Sequence, residues 1–406
     1  MPVSLNPLES PRVADQPVEI VERKGRGHPD SICDALAEEL SLALCRFYRT
    51  HCGLVMHHNV DKVLLSAGES APAFGGGKLV KPIEIFLSGR ATSVCDGLEV
   101  PLQQMIEDTA GAWLRRNLHA LDSDRDVKLH ARVRPGSPEL VELFRRSSRT
   151  GVWLANDTSC GVGYAPLSPL ETVVLAVEQA LTAPSLHARE PAFGEDVKVM
   201  GLRRGSEIDL TVACALIGRH LTDAADYMAT KDRIAALAWE TAVRHTTMPV
   251  SVSVNTADDP ATASLYLTVT GTSAEAGDDG EAGRGNRING LIAPYRPMTM
   301  ESVAGKNPLT HVGKLYNICA GLTAERIVGE VPGIRAVNCF LLSRIGQRID
   351  QPQIVDLRVA SEGVGLDNLR PDLEAIVRDE LQKLPQLAEE LLDGRLGLDR
   401  WPLRQG

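Results

Sequence analysis

VERKGRGHPDSICDALAE, running from Val21 to Glu38, carries a glycine-bearing turn straight into an amphipathic pattern. Pro29 biases His28 toward an extended backbone and suits the first position of a helix. Asp30 or Ser31 is then expected to cap a helix whose apolar stripe is Ile32, Leu36, Leu40, Leu44 and Phe47. Gly25 and Gly27 allow close backbone approach to a ligand just upstream. The free N–H groups of such a helix start favour an anion, and Asp30 suits a Mg²⁺ accompanying phosphates. An ordinary capped helix with a surface histidine is the competing reading of the same residues.

Period-2 alternation appears outside this segment. Ile83, Ile85 and Leu87 alternate with more polar neighbours, as do Val127, Leu129, Ala131 and Val133, then Val250, Val252 and Val254, then Leu265, Leu267 and Val269. Such strands belong to sheets with one buried and one wetter face, antiparallel or mixed rather than doubly wound. A second helical stripe is Leu170, Val173, Val174, Val177 and Leu181, and further helices are expected near 101–118, 223–245, 309–328 and 371–394. Strands and helices interleave irregularly, which predicts an α+β fold. Residues 1–17 read as a polar arm, and residues 18–406 as one unit.

The chain of 406 residues carries 43 basic and 53 acidic side chains, a net charge of −10 that argues against a nucleic-acid footprint. No apolar run is long enough to span a membrane, and the start lacks a signal pattern, so a cytoplasmic location is expected. The eight cysteines make no C-x-x-C pair and support neither a zinc site nor a disulfide framework. Charge is uneven, however. Between Gly283 and Tyr316 stand Arg284, Arg287, Arg296, Lys306 and Lys314 against Glu301 alone, a place for a phosphate-bearing substrate.

GDDGEAGRGNRING, Gly277 to Gly290, sets Asp278 and Asp279 for a hard cation beside Arg284 and Arg287 for phosphate oxygens. A solvated hairpin loop is the alternative. GKNPLTHVGK adds Lys306, His311 and Lys314 ahead of a helix. In NDTSCGVGYAP, Asp157 sits in a turn-rich loop able to approach a ligand or simply to form an Asx turn. His57 and His58 point to opposite faces of a strand and are read as structural. P-loop, dinucleotide and nucleophile-elbow patterns are missing, so covalent catalysis is not favoured.

Together with MHHNVD, SAPAFGGGK, LSGRAT, GEDVKVMG, NTADD and YRPMTMES, these segments resemble, in collinear order from about residue 18 to 350, the archaeal-type S-adenosylmethionine synthetases. The resemblance implies three related subdomains with mixed sheets around a pseudo-threefold axis, and a homodimer with interfacial active sites. It implies synthesis of S-adenosylmethionine from ATP and L-methionine, with Mg²⁺ required and K⁺ assisting. Sulfur attacks C5′ and triphosphate leaves; a thioether has no proton to lose, so alignment and cations must carry that step. His28 matches the group at the leaving oxygen, Arg284 and Lys306 the triphosphate contacts, and Asp30 and Asp279 the metal ligands. Asp157 and Asp278 match acidic residues on the methionine and nucleoside side, and Gly136, Ser137, Arg287 and His311 complete the expected ATP set. The chain departs from the family at Arg134-Pro-Gly-Ser-Pro-Glu139, where a GxGSxD-like segment is usual, at Cys160 and at Ala276. An altered-substrate or catalytically weak nucleotide-binding paralogue is the alternative these departures leave.

Overall fold

The computed structural model describes residues 3–95, 97–262 and 264–404. Strands β1 (Val3–Pro7) and β2 (Val18–Lys24) precede helix α1 (Pro29–Cys52). The hairpin β3 (His58–Ser66) and β4 (Ile83–Ala91) follows, then α2 (Leu102–Asn117), β5 (Val127–Arg134) and α3 (Pro138–Thr150). Strand β6 (Cys160–Ala165) enters α4 (Pro169–Leu181) and the one-turn α5 (Pro184–His187). Next come the hairpin β7 (Phe193–Arg204) and β8 (Glu207–Ile217), α6 (Ala224–His245) and β9 (Val250–Val254). The short β10 (Gly280–Glu281) precedes α7 (Val312–Glu330), the hairpin β11 (Ile334–Leu342) and β12 (Ile354–Ser361), α8 (Leu366–Gln382) and α9 (Leu384–Leu392).

One arrangement occurs three times. The sheets run β10-β3-β4-β5, β2-β7-β8-β9 and β6-β11-β12-β1. In each, the first two pairings are antiparallel and the last is parallel. The helix before each hairpin, α1, α4 or α7, packs on its sheet. Each also follows a strand lent to another sheet: β2 leads into α1, β6 into α4, and β10 precedes α7. This is a mixed-sheet α+β architecture. Residues 1–17, read as an arm, contribute β1 to the third sheet.

Each unit has its own apolar core. Ile32, Leu36, Leu40 and Leu44 meet Ile83, Ile85 and Leu87 in the first, and Leu170, Val173, Val174, Val177 and Leu181 meet Val197, Val199, Leu210 and Val212 in the second. Burying each such side chain contributes about 1.5–3 kcal/mol. In the third, α7 is buried at nearly every position from Val312 to Ala324, so it carries little one-sided pattern.

Several expectations need correction. The 265–269 alternation yields only a two-residue strand, Leu267–Thr268, because the Val269 and Thr270 N–H groups are taken by the Glu275 carboxylate at 2.9 and 2.7 Å. The helix expected over 371–394 is two helices, α9 beginning afresh with a proline in its first turn. Cys52, at the end of α1, is bonded to Cys95 across 43 residues, a pairing no short cysteine spacing could reveal; six cysteines are free.

Candidate active site

The cap of α1 lies two residues before the Asp30 expected, with Pro29 at the first helical position. His28 itself is the N-cap: its backbone is extended before Pro29, and its Nδ1 accepts the Asp30 N–H at 3.2 Å. A neutral ring accepting at Nδ1 carries its proton on Nε2. Burial, and next the Lys24 ammonium, push the His28 pKa down to about 4, so the ring is neutral at physiological pH. Nε2 stands 3.8 Å from Asp278 Oδ2. Asp30 falls in the first helical turn, where the helix dipole favours a carboxylate. Burial opposes its charge, but Lys24 Nζ at 2.8 Å and the Glu281 N–H at 2.9 Å hold its pKa below the usual value.

Gly25 and Gly27 do make a close approach, but to the protein's own backbone. A Cβ on Gly27 would lie 2.4 Å from the Glu195 carbonyl carbon and the Asp196 nitrogen, and the Gly27 N–H donates to Glu195 O at 3.0 Å. The turn is also pinned by Thr272 Oγ1, which donates to Gly27 O at 2.6 Å. Asp196 in turn accepts from the Ser273 N–H at 2.8 Å, steadying the loop that leads to Asp278.

One face of α1 then gathers the distant loops. Asp30, Asp34 and Glu38, spaced by four, accept from the backbone N–H groups of Glu281, Gly283 and Gly305 at 2.9, 2.7 and 3.0 Å. The Gly277–Gly290 segment is therefore held on α1 and is not a free hairpin. Burial raises the Asp34 pKa to about 7, against the opposing pull of the Gly283 N–H and Arg287. Beyond it, Lys306 Nζ pairs with Asp61 at 2.5 Å and lies 3.4 Å from Glu301. Burial alone would raise the Asp61 pKa, yet Lys306 and Lys62 hold it low.

The remaining expected residues divide. Arg284 is exposed, and its carbonyl accepts from Lys24 Nζ at 3.0 Å. Asp278 is also largely exposed, while one Asp279 oxygen accepts the Ala67 N–H at 2.7 Å. Asp157 is exposed and bonds the Thr158 N–H at 2.7 Å; its loop reaches the Lys306 cluster because Ser159 Oγ donates to Glu301. His311 caps α7 as His28 caps α1, accepting from the Gly313 N–H at 3.3 Å, and burial pushes its pKa to about 3.

Arg287 differs from expectation: its guanidinium donates to the carbonyls of Gly283, Gly285 and Thr299 at 2.6, 2.8 and 3.3 Å, bracing its own loop. Lys314 likewise is fully buried against Glu38. The Gly136 and Ser137 stretch is the start of α3, with Pro138 in the first turn and Gly136 against the His57 ring. The glycines of CGVGYA serve packing, since a Cβ on Gly161 or Gly163 would come within 2.1–2.2 Å of the α7 backbone. A cavity of about 260 Å³ opens along the same face of α1, lined by Asp34, Glu38, Arg287, Glu301 and Asn317 and not by His28, Asp30 or Lys306. Sequence reasoning missed Lys24, Asp34, Glu38, Asp61 and Glu301. Lys24, Asp34 and Glu38 were inside the opening segment, where a charged residue at four-residue spacing beside the key groups was the available signal.

These groups make a neutral donor at a helix start beside carboxylates and two lysines, suited to a polyanion with a cation. The family model for S-adenosylmethionine synthetase (AdoMet synthetase) matches residues 2–395. A probable S-adenosylmethionine synthase of Aquifex aeolicus is 46% identical over 392 residues, covering 96% of this chain and 98% of that protein. The S-adenosylmethionine synthase of Methanothrix thermoacetophila is 47% identical over 385 residues, covering 95% and 96%. The solved structure of an unusual S-adenosylmethionine synthetase from Campylobacter jejuni shares the fold, with a TM-score of 0.65, 12% identity and 93% of each chain covered. Matched over nearly its whole length by both sequence comparisons, the chain belongs to the S-adenosylmethionine synthetase family, the methionine adenosyltransferases.

Proposed function

We propose that this chain makes S-adenosylmethionine from ATP and L-methionine, the triphosphate being hydrolysed in place to pyrophosphate and phosphate. The observation that carries the reading is the buried, neutral His28 with Nδ1 already engaged and Nε2–H left to donate. Such a donor meets charge developing on the departing triphosphate oxygen without having to lose its proton. Arg284, exposed at the same helix start, and Lys306 take the remaining phosphate oxygens, Lys306 exchanging Asp61 for phosphate. Asp157 and Asp278 face the methionine and nucleoside side.

Asp30 fits a Mg²⁺ because each of its oxygens has one partner in the fold, leaving lone pairs, and hard carboxylates suit that ion. Asp30 and Asp279 would hold it; when bound it neutralises triphosphate charge. K⁺ belongs to the same proposal, with no step assigned to it. So does a homodimer with its sites at the interface: Met300, beside Glu301, is 98% exposed, and Leu64 is half-exposed on the sheet face away from α1. A cytoplasmic location belongs to the same proposal; among the described residues no helix is long and apolar enough to cross a membrane.

Incubation of purified protein with ATP, L-methionine, Mg²⁺ and K⁺, followed by mass spectrometry, is expected to yield S-adenosylmethionine, with light scattering giving a dimer. Tight ATP binding with no product would overturn the reading in favour of a catalytically weak paralogue.

A further inference from the structure

Behind the turn that presents His28, three side chains with no role in the proposed chemistry converge. His119 lies just past α2, His187 ends α5, and Glu195 is near the start of β7. One ligand atom from each lies within 4.8 Å of the others. His119 Nδ1 is 2.6 Å and His187 Nδ1 3.4 Å from the same oxygen, Glu195 Oε1, and the two rings stack 5.2 Å apart. Glu195 is 2% exposed and His187 8%. Glu195 Oε2 and His187 Nε2 are nevertheless buried without a hydrogen-bond partner. An unpaired buried polar atom costs about 1–3 kcal/mol, so the cluster's polar groups are not fully matched to one another. Oε2 is a second carboxylate oxygen still open to a cation beside Oε1, while the 2.6 and 3.4 Å separations concern Oε1 and the two Nδ1 atoms.

We infer that His119, His187 and Glu195 bind one divalent transition ion of the Zn²⁺ class, with water completing the shell. Two imidazole nitrogens and a carboxylate oxygen form a donor set suited to that ion and not to Mg²⁺. Tetrahedral bonds of about 2.0–2.1 Å place donor atoms roughly 3.3 Å apart. The His187–Glu195 separation of 3.4 Å already meets this. The 2.6 Å His119–Glu195 contact opens as its shared proton is released to solvent and the ion takes its place. His119 is oriented for the role: Nε2 lies 3.1 Å from Pro191 O, leaving Nδ1 for the metal, in the usual second-shell manner. Its side chain, 27% exposed, is the way in. Arg26 and Arg219 stand near enough to oppose the incoming charge, so three protein donors have to outweigh them.

The ion has a mechanical consequence. Glu195 O accepts the Gly27 N–H, so fixing Glu195 to the two histidines stiffens the support of the His28 turn. The role is positional, and the ion takes no part in adenosyl transfer.

Titrating metal-free, tag-free protein in excess Mg²⁺ tests this, with Zn²⁺ followed by calorimetry and Co²⁺ by visible absorption. The expected result is one saturable equivalent, with intense tetrahedral Co²⁺ bands and a Zn²⁺-dependent rise in the thermal midpoint. His119→Ala and Glu195→Gln should each weaken binding by more than about 100-fold, beyond the 10–100-fold of losing an outer-shell partner. Thermal melts of each variant without metal check that it is folded, and Cys160→Ser, which removes the exposed thiol, should bind as the parent does. Lack of saturable Zn²⁺ binding in the parent, or binding that survives His119→Ala and Glu195→Gln, would overturn the inference.

Discussion

Glu38→Gln tests the idea that α1 holds the catalytic loops by its carboxylate face. Lys314 Nζ is wholly buried, and Glu38 meets it with both oxygens at 2.8 and 2.6 Å while also accepting the Gly305 N–H. At that separation, and an effective dielectric of about 20, the pair attraction is on the order of 6 kcal/mol before desolvation. Glutamine keeps one acceptor oxygen, so the amide of Gly305 can stay bonded, but the Lys314 ammonium loses its only carboxylate partner among the described residues. The expected loss is about 3–5 kcal/mol, the cost of an uncompensated buried charge. Urea unfolding at fixed protein concentration reads it, and Glu38→Gln with Lys314→Met in one chain, which keeps an acceptor for the Gly305 N–H and removes the buried charge, should return to within about 1 kcal/mol of the parent. Because Gly305 adjoins Lys306, turnover of folded Glu38→Gln should fall as well. A loss under about 1 kcal/mol for Glu38→Gln, or no recovery in the double variant, would refute the reasoning.

Three further outcomes are expected. His28→Asn should lower kcat by about 10²–10³-fold, the cost of one donor at a developing oxyanion, with the KM for methionine little moved in steady-state assays. Gly163→Ala should destabilise by at least about 1–3 kcal/mol, because its Cβ would meet the Ala320 backbone at 2.2 Å; an unchanged urea midpoint would contradict that packing. His58, buried against Ser41 with its pKa pushed to about 3, stays neutral while the unfolded chain protonates below about pH 6.5, so it costs stability as pH falls from there toward 3. His58→Gln should therefore flatten the pH dependence of the unfolding free energy, read by urea titration, by about 1.4 kcal/mol per pH unit between pH 6 and 4, whatever its effect at neutrality.

The parts legible in the sequence were those buried on one side. Ile83, Ile85 and Leu87 alternate because one sheet face packs on α1, and Leu170 to Leu181 repeat because α4 turns one face to its sheet. The α7 boundary was harder: a helix buried all round has no polar face to set its period, and only the His311-containing motif marks its start. The turn at 269–275 was hidden for another reason, since its backbone donors are served by a side chain, Glu275, and nothing in the alternation announces that. Glycine was ambiguous throughout. Gly27, Gly161 and Gly163 do permit close approach, but sequence cannot say whether the approaching atoms belong to a ligand or to the chain itself.

The candidate site shows the same limit more sharply. His28 and Asp30 could be read because a helix start is a local event, decided by a histidine, a proline and the stripe that follows. The ladder Asp30, Asp34, Glu38 was equally present at four-residue spacing, yet its partners are backbone amides of Glu281, Gly283 and Gly305, roughly 250 residues away. An amide N–H leaves no mark on residue identity, so spacing predicts a shared face and not what that face holds. Arg287 and Lys314 show the converse: their charge suggested phosphate, while the fold uses one to brace carbonyls and buries the other against Glu38. A cation in a glycine-rich loop therefore points to a ligand only after the carbonyls and carboxylates of the loop itself have been satisfied. By that criterion Arg284, exposed beside the His28 helix start, is the guanidinium of this segment proposed for the triphosphate.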